Sequence, residues 1–276
     1  MKIIDGKALS TSLRIELKEK IAKMDKKPGL AVVLVGEDPA SQIYVRNKIN
    51  ACQELGITSY AHRLDANASQ EEVETLLTNL SKDENIDGIL LQLPLPKHLD
   101  EESAMKCIPA EKDVDGFSAE NLGQLILHKE RIVSCTPLGI MKMFENEGID
   151  LTGKHAVVLG RSDTVGKPMA MLLLNANATV TICHSRTKNL KEICQQADVL
   201  VVAIGKARFV TEEMVKPGAI VIDVGINRDE NGKICGDVDF ENVKDKTSYI
   251  TPVPGGVGPM TITMLMYNAY LMACKE

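Results

Sequence analysis

No C-x-x-C pair occurs among the seven cysteines of this 276-residue chain, Cys52, Cys107, Cys135, Cys183, Cys194, Cys235 and Cys274. Their number is odd and most sit in apolar contexts such as Val-Thr-Ile-Cys183, which excludes a disulfide framework and fits free buried thiols in a reducing compartment. The five histidines form no H-x-x-x-H pair, so no metal site is expected. No apolar run approaches the ~18 residues that a membrane span needs. The N-terminus, Met1 to Lys7, has neither the apolar core of a signal peptide nor the Arg-rich, acid-poor character of a transit peptide. These absences imply a cytoplasmic location and no membrane partner. Basic residues are outnumbered 32 to 38, giving a formal net charge of −6. Such a chain offers no basic field to nucleic acid, and an anionic ligand requires a local basic cluster instead.

A hydrophobic content of 44% and a charged content of 25% are those of a globular protein. The length is comfortable for two domains. Strand-like apolar runs at 30–35, 88–91, 156–159, 180–183, 199–204 and 220–224 alternate with amphipathic stretches at 9–24, 40–55, 71–80 and 168–175. That alternation predicts an α/β fold with mostly parallel sheets. A boundary falls near Ser134-Cys135-Thr136-Pro137. A helical stretch at 138–147 then precedes a compact βαβ series reaching to about residue 251. The last apolar helical stretch, 257–272, suits packing back on the first domain. The expected division is an N-terminal α/β domain over 1–137, with 257–276 returning as its C-terminal helix, and a Rossmann-like dinucleotide-binding domain over 138–256.

The strand at 156–159 runs into Gly160-Arg161-Ser162-Asp163-Thr164-Val165-Gly166-Lys167-Pro168. A glycine-bearing turn between a buried strand and a helix suits phosphate, because glycine permits the tight turn and the helix N-terminus offers free N–H groups. The turn departs from G-x-G-x-x-G, since Ser162 replaces the second glycine and the last glycine is displaced. A plain strand-to-helix connection has the same appearance. The next strand sharpens the reading. A NAD-binding unit places an acid about ~20 positions beyond the first glycine to bind the ribose hydroxyl. Here the sequence is Cys183-His184-Ser185-Arg186-Thr187, with no acid. Arg161, Ser185 and Arg186 instead suit a 2′-phosphate, which arginine clamps with paired charged hydrogen bonds, so NADP is expected over NAD. Gly148-x-x-x-x-Gly153-Lys154 is no Walker site, because His155 stands where a hydroxyl holds magnesium and a strand follows.

In the first domain, Tyr44 and Lys48 lie four apart on an expected helix and share a face. Gln92 is the one polar residue of Gly88-Ile89-Leu90-Leu91-Gln92-Leu93 and needs hydrogen-bond partners if buried. Lys112-Asp113-Val114-Asp115-Gly116-Phe117 carries two carboxylates with too few oxygens for calcium, and it suits a turn aiming one carboxylate at a ligand. Pro252-Val253-Pro254-Gly255-Gly256-Val257 is a rigid loop that allows backbone to approach a ligand.

Taken together, Tyr44-x-x-x-Lys48, Leu91-Gln92-Leu93-Pro94-Leu95-Pro96, 112–117, Gly160-Arg161-Ser162-x-x-Val165-Gly166-x-Pro168 and 252–261 resemble the bifunctional methylenetetrahydrofolate dehydrogenase/methenyltetrahydrofolate cyclohydrolase family, in that family's order and across nearly the whole chain. The resemblance implies a homodimer serving one-carbon metabolism and purine biosynthesis, with folate in the cleft between domains and NADP as cofactor. It implies catalysis by Lys48, stacking of Tyr44 on the folate, orientation of Lys48 by Gln92 and pterin binding by Asp115. Substrate contacts at Pro254, Gly255 and Gly256 and cofactor contacts at Gly160, Arg161, Ser162, Val165, Gly166, Ser185 and Arg186 complete the expected site. Lys48 could act as a neutral base or as a charged group that orients water. A monofunctional dehydrogenase and a dinucleotide-sensing module are the competing readings.

Overall fold

The structure, a computed structural model, describes residues 1–274. Lys275 and Glu276, expected in the last helix, lie outside the described residues. Eleven strands occur among the described residues: β1 (Lys2–Ile3), β2 (Gly29–Val35), β3 (Thr58–Leu64), β4 (Gly88–Leu91), β5 (His155–Leu159), β6 (Thr179–Cys183), β7 (Val199–Val202), β8 (Ile220–Asp223), β9 (Asn227–Arg228), β10 (Ile234–Cys235) and β11 (Tyr249–Ile250). The α-helices are α1 (Gly6–Ala22), α2 (Pro39–Leu55), α3 (Gln70–Lys82), α4 (Glu101–Met105), α5 (Ala119–Ile126), α6 (Cys135–Asn146), α7 (Gly166–Asn175), α8 (Leu190–Cys194), α9 (Phe240–Val243) and α10 (Val257–Ala273).

Contacts divide the chain into two compact units. One comprises Met1–Thr11, Leu125–Lys129 and Ser134–Thr261. Its sheet has the order β1-β11-β8-β7-β5-β6, with every neighbouring pair parallel. β5, β7 and β8 are buried almost throughout, and Val157, Leu159, Leu200, Val202 and Val221 join a single core with Cys183 and Cys194. This burial on both faces is why these strands read as continuous apolar runs rather than alternations. A short antiparallel hairpin, β9–β10, lies outside the sheet.

The other unit comprises Ser12–Gln124, Glu130–Val133 and the chain from Ile262 on. Its parallel sheet has the order β3-β2-β4. β2, Gly-Leu-Ala-Val-Val-Leu-Val, is buried at every residue and takes the centre. α3 lays Val73, Leu77 and Leu80 on this core at helical spacing. Its N-terminus is closed by a capping box: Ser69 Oγ accepts from Glu72 N and Glu72 Oε2 accepts from Ser69 N.

The α/β class and parallel sheets agree with the sequence reading. The domain limits of that reading, 1–137 with 257–276 against 138–256, differ from the contact division at the N-terminus, where β1 pairs with β11 and Ile4 N donates to Ile250 O. The run expected at 199–204 leaves the sheet after Val202. Ala203 N still reaches Leu159 O, but Ile204 N turns to the Asp237 carboxylate at 2.7 Å. Replacing Ser69 with alanine removes one side of the capping box and is expected to lower unfolding stability by about 1 kcal/mol, measured by urea denaturation. An unchanged midpoint counts against the cap.

Candidate functional site

In the three-stranded unit, three polar side chains gather beyond the sheet's carboxyl edge. β2 ends at Val35 and the chain turns into α2, whose start is set by Pro39 in the first turn and by Asp38 Oδ2 accepting from Ser41 N at 2.8 Å. Lys48 lies in mid-helix, half-buried, and exposed Tyr44 precedes it by one turn. Gln92 follows β4, with its N–H donating to Val33 O at 2.9 Å. Lys48 Nζ donates to Gln92 Oε1 at 3.0 Å, and Gln92 Nε2 donates to Leu93 O at 2.6 Å. Both ends of the amide are thus used, which fixes its orientation and holds the amine from one side.

Asp115 completes the group. The segment carrying it runs beside β4 through a parallel bridge between Ile89 and Asp113. Burial pushes the Asp115 carboxyl up to about 6, against the pull of the Lys48 charge and with added repulsion from Asp113. Asp113 was the alternative carboxylate of the sequence reading, but its oxygens accept from Gly116 N at 3.0 Å, Ser118 N at 2.6 Å and Asn121 Nδ2 at 3.1 Å. It is buried and builds the turn that presents Asp115. Asn121 carried no sequence signal, because it lies eight residues away and the turn joins the two only in three dimensions.

In the six-stranded unit, β5 and β6 are in register up to Leu159 and Cys183, and Gly160 N donates to Cys183 O at 2.9 Å. Arg161 therefore leaves one strand end beside His184, Ser185 and Arg186 leaving the next, and Arg161, Ser185 and Arg186 are all exposed. Two glycines make the turn possible. A Cβ at Gly160 would lie 2.3 Å from Ala203 O, and one at Gly166 would lie 2.4 Å from Gly160 O. No larger residue fits between the strand end and the helix start. Ser162 Oγ accepts from Val165 N at 3.2 Å and Gly166 N at 3.3 Å, so a hydroxyl holds the turn ahead of α7 where the usual fingerprint has glycine. Pro254, Gly255 and Gly256 belong to the same unit. Lys7 N donates to Gly255 O at 2.9 Å, and Gly6 leaves room for the Gly256 carbonyl, which a Cβ there would approach to 2.0 Å. No cluster of metal-ligating side chains occurs among the described residues.

A glycine turn on a parallel sheet, an arginine–serine group where a ribose-binding acid would stand, and a separate unit with an amine–amide–carboxylate group define an α/β enzyme of the dinucleotide-binding class. More specifically, the chain belongs to the tetrahydrofolate dehydrogenase/cyclohydrolase family: the NAD(P)-binding domain of that family matches residues 134–276 and its catalytic domain residues 4–115. It is 58% identical over 269 residues to the bifunctional protein FolD of Dechloromonas aromatica, covering 96% of this chain and 95% of that protein. Among solved structures, the bifunctional FolD methylenetetrahydrofolate dehydrogenase/cyclohydrolase of Campylobacter jejuni is 50% identical with a TM-score of 0.96, covering 99% and 98% of the two chains. The Trypanosoma brucei enzyme, solved with NADP and an inhibitor, is 38% identical with a TM-score of 0.93, covering 98% and 96%.

The raised Asp115 pKa makes a prediction about stability. The folded chain holds this proton more tightly than an unfolded one, where the carboxyl titrates near 3.8. Stability from this group is complete below about pH 4 and is lost as pH rises through about 6. Asp115→Asn, neutral throughout, should gain melting temperature relative to the parent protein between pH 4 and pH 7. A constant difference across that range shows that the carboxyl is not desolvated.

Proposed function

We propose that the chain oxidises 5,10-methylenetetrahydrofolate with NADP and hydrolyses the 5,10-methenyl product to 10-formyltetrahydrofolate. The observation that carries this reading is the Lys48–Gln92 hydrogen bond of 3.0 Å with a desolvated Asp115 beside the amine. Membership of the family supports it. The amino-pyrimidinone edge of a pterin is guanidine-like, and a carboxylate such as Asp115 pairs with it through two parallel hydrogen bonds. Tyr44, exposed one turn before Lys48, offers its ring to the flat folate.

When bound, the nicotinamide supplies the hydride acceptor. The nitrogen lone pairs flanking the substrate's methylene carbon expel the hydride, so this step asks the chain for position rather than for a base. Water then adds to the methenyl carbon, that carbon's bond to N5 breaks with N5 taking up a proton so that the formyl group stays on N10, and the added water must give up a proton. Lys48 is the group assigned to that proton. Gln92 keeps the amine nitrogen in place through the 3.0 Å hydrogen bond.

The turn at β5 fits NADP. Gly160 and Gly166 let backbone approach the pyrophosphate, Ser162 and Val165 shape the turn, and Arg161 with Ser185 takes the 2′-phosphate, with Arg186 as a further cation. The backbone at Pro254, Gly255 and Gly256 contacts the folate. A homodimer is part of the proposal, as is a cytoplasmic location, which the absence of any disulfide among the described cysteines supports. Among the described residues no helix is long and apolar enough to cross a membrane.

Two measurements test the assignment. Lys48→Gln should lower cyclohydrolase turnover by about 10²–10⁴-fold while sparing hydride transfer, so that methenyltetrahydrofolate accumulates in a continuous absorbance assay. Parallel loss of both activities makes Lys48 a binding group only. Arg161→Ala should weaken NADP by about 1.5–3 kcal/mol and leave NAD binding nearly unchanged. An equal loss for both dinucleotides overturns the 2′-phosphate role.

A further inference from the structure

The Asp237 side chain is completely buried, yet the four donors that meet its carboxylate are all neutral. Oδ2 accepts from Ile204 N at 2.7 Å and Gly205 N at 2.9 Å, and Oδ1 accepts from Lys206 N at 2.8 Å and Asn227 Nδ2 at 2.9 Å. Three successive backbone N–H groups converging on one anion form a nest, a shape the backbone adopts around negative charge. Gly205 supplies the left-handed residue that the nest requires, with φ +64°, and a Cβ there would meet no atom within 4 Å. Nothing apolar substitutes for this arrangement, because each of the three N–H groups needs an acceptor and the sheet no longer offers one.

The nest is itself held from behind. Asp237 N donates to Asp223 Oδ1 at 2.9 Å, and Asp223 also accepts from Gly225 N and Val238 N. A Cβ at Gly236 would stand 1.8 Å from Asp223 Oδ2, and one at Gly225 would stand 2.3 Å from the Asp237 carboxyl carbon. Two buried carboxylates thus weld the ends of β7 and β8 and the segment 236–238 that follows β10 into one body.

Its place in the sheet gives this body a use. The chain runs from β5 outward to β6, then back across β5 to β7 and on to β8. The topology reverses between β5 and β7, and an open α/β sheet binds its ligand beyond the strand ends at such a reversal. Gly160 and the phosphate turn form the β5 side. Residues 204–206, pulled out of the sheet by Asp237, form the β7 side, and Gly205 and Lys206 there are exposed. With the 2′-phosphate assigned to Arg161 and Ser185 at the ends of β5 and β6, the half of the dinucleotide beyond the pyrophosphate, on the β7 side, would be the nicotinamide.

We infer that Asp237 is a positioning residue for hydride transfer, its carboxylate shaping the 204–206 turn into the surface that seats the nicotinamide half of the dinucleotide. The inference rests on the dehydrogenase reading. It concerns one of the two activities only, since hydrolysis of the methenyl compound needs no hydride acceptor.

The test is Asp237→Asn, which keeps the shape but turns an NH2 toward backbone N–H groups that need an acceptor. Dehydrogenase kcat/KM should fall by about 10- to 100-fold, the scale of a small misplacement of reacting groups, with KM for NADP raised. Cyclohydrolase turnover on methenyltetrahydrofolate without NADP should be unchanged per folded molecule, and the melting-temperature gain caused by NADP should shrink. Parallel loss of both activities, or an unaltered dehydrogenase, overturns the inference. If Asp237→Asn does not fold, Asn227→Ala, which deletes one of the four donors, should show the same selective loss in smaller measure, and equal effects on both activities overturn the proposal there. A parent protein without NADP-dependent oxidation sinks the dehydrogenase reading instead, so the two failures are distinguishable.

Discussion

Parallel pairing gives every strand of a sheet the same direction, so all carboxyl ends, and the loops that follow them, open on one edge. The chain uses that constraint twice. In the smaller sheet, Lys48 follows β2 by way of α2, Gln92 follows β4, and Asp115 comes from the segment bridged to β4. In the larger sheet, the turns after β5, β6, β7 and β8 lie in a row because the strands are in parallel register. Side chains far apart in sequence become neighbours without any contact needing to be specified between them individually.

Those edges are also where charge is buried, and the chain handles it in two ways. Burial pushes the Asp115 carboxyl up to about 6, with the Lys48 charge as its main electrostatic counterweight. A group poised in this way can answer a ligand's charge or its proton. Asp223 is likewise pushed up to about 6 by burial, but three backbone N–H groups oppose the shift. Asp113 and Asp237 are surrounded by amide donors and give shape to turns.

The sequence made the buried strands legible because β2, β4, β5, β7 and β8 are hydrophobic at nearly every position. β3 was not legible: at the edge of its sheet it reads Thr-Ser-Tyr-Ala-His-Arg-Leu, half-exposed and with no apolar run. β1 and β11 are two residues each, too short for any period to show. Lys48, Gln92 and Asp115 were individually visible as polar residues set in helical or apolar contexts, and the fold brings them together. The restraining roles of Asp113 and Asp237 left no trace in the sequence. Acceptance of backbone N–H groups depends on how distant turns fold: in the linear chain Asp113 reads only as one of two carboxylates in a turn, and Asp237 as an ordinary loop aspartate. The departure of the chain from β7 after Val202 was hidden for the same reason, since Ile204 is as apolar as the strand before it.

The pairing of Lys2 and Ile3 with Tyr249 and Ile250 has a consequence in time. During synthesis Lys2 and Ile3 are made long before Tyr249 and Ile250. At ~5–20 residues per second, the interval is on the order of ten seconds or more. The larger sheet cannot be completed while the chain is still growing through its middle. β1 stays without its neighbour until Tyr249 and Ile250 have been made, so closure of that edge of the sheet comes late.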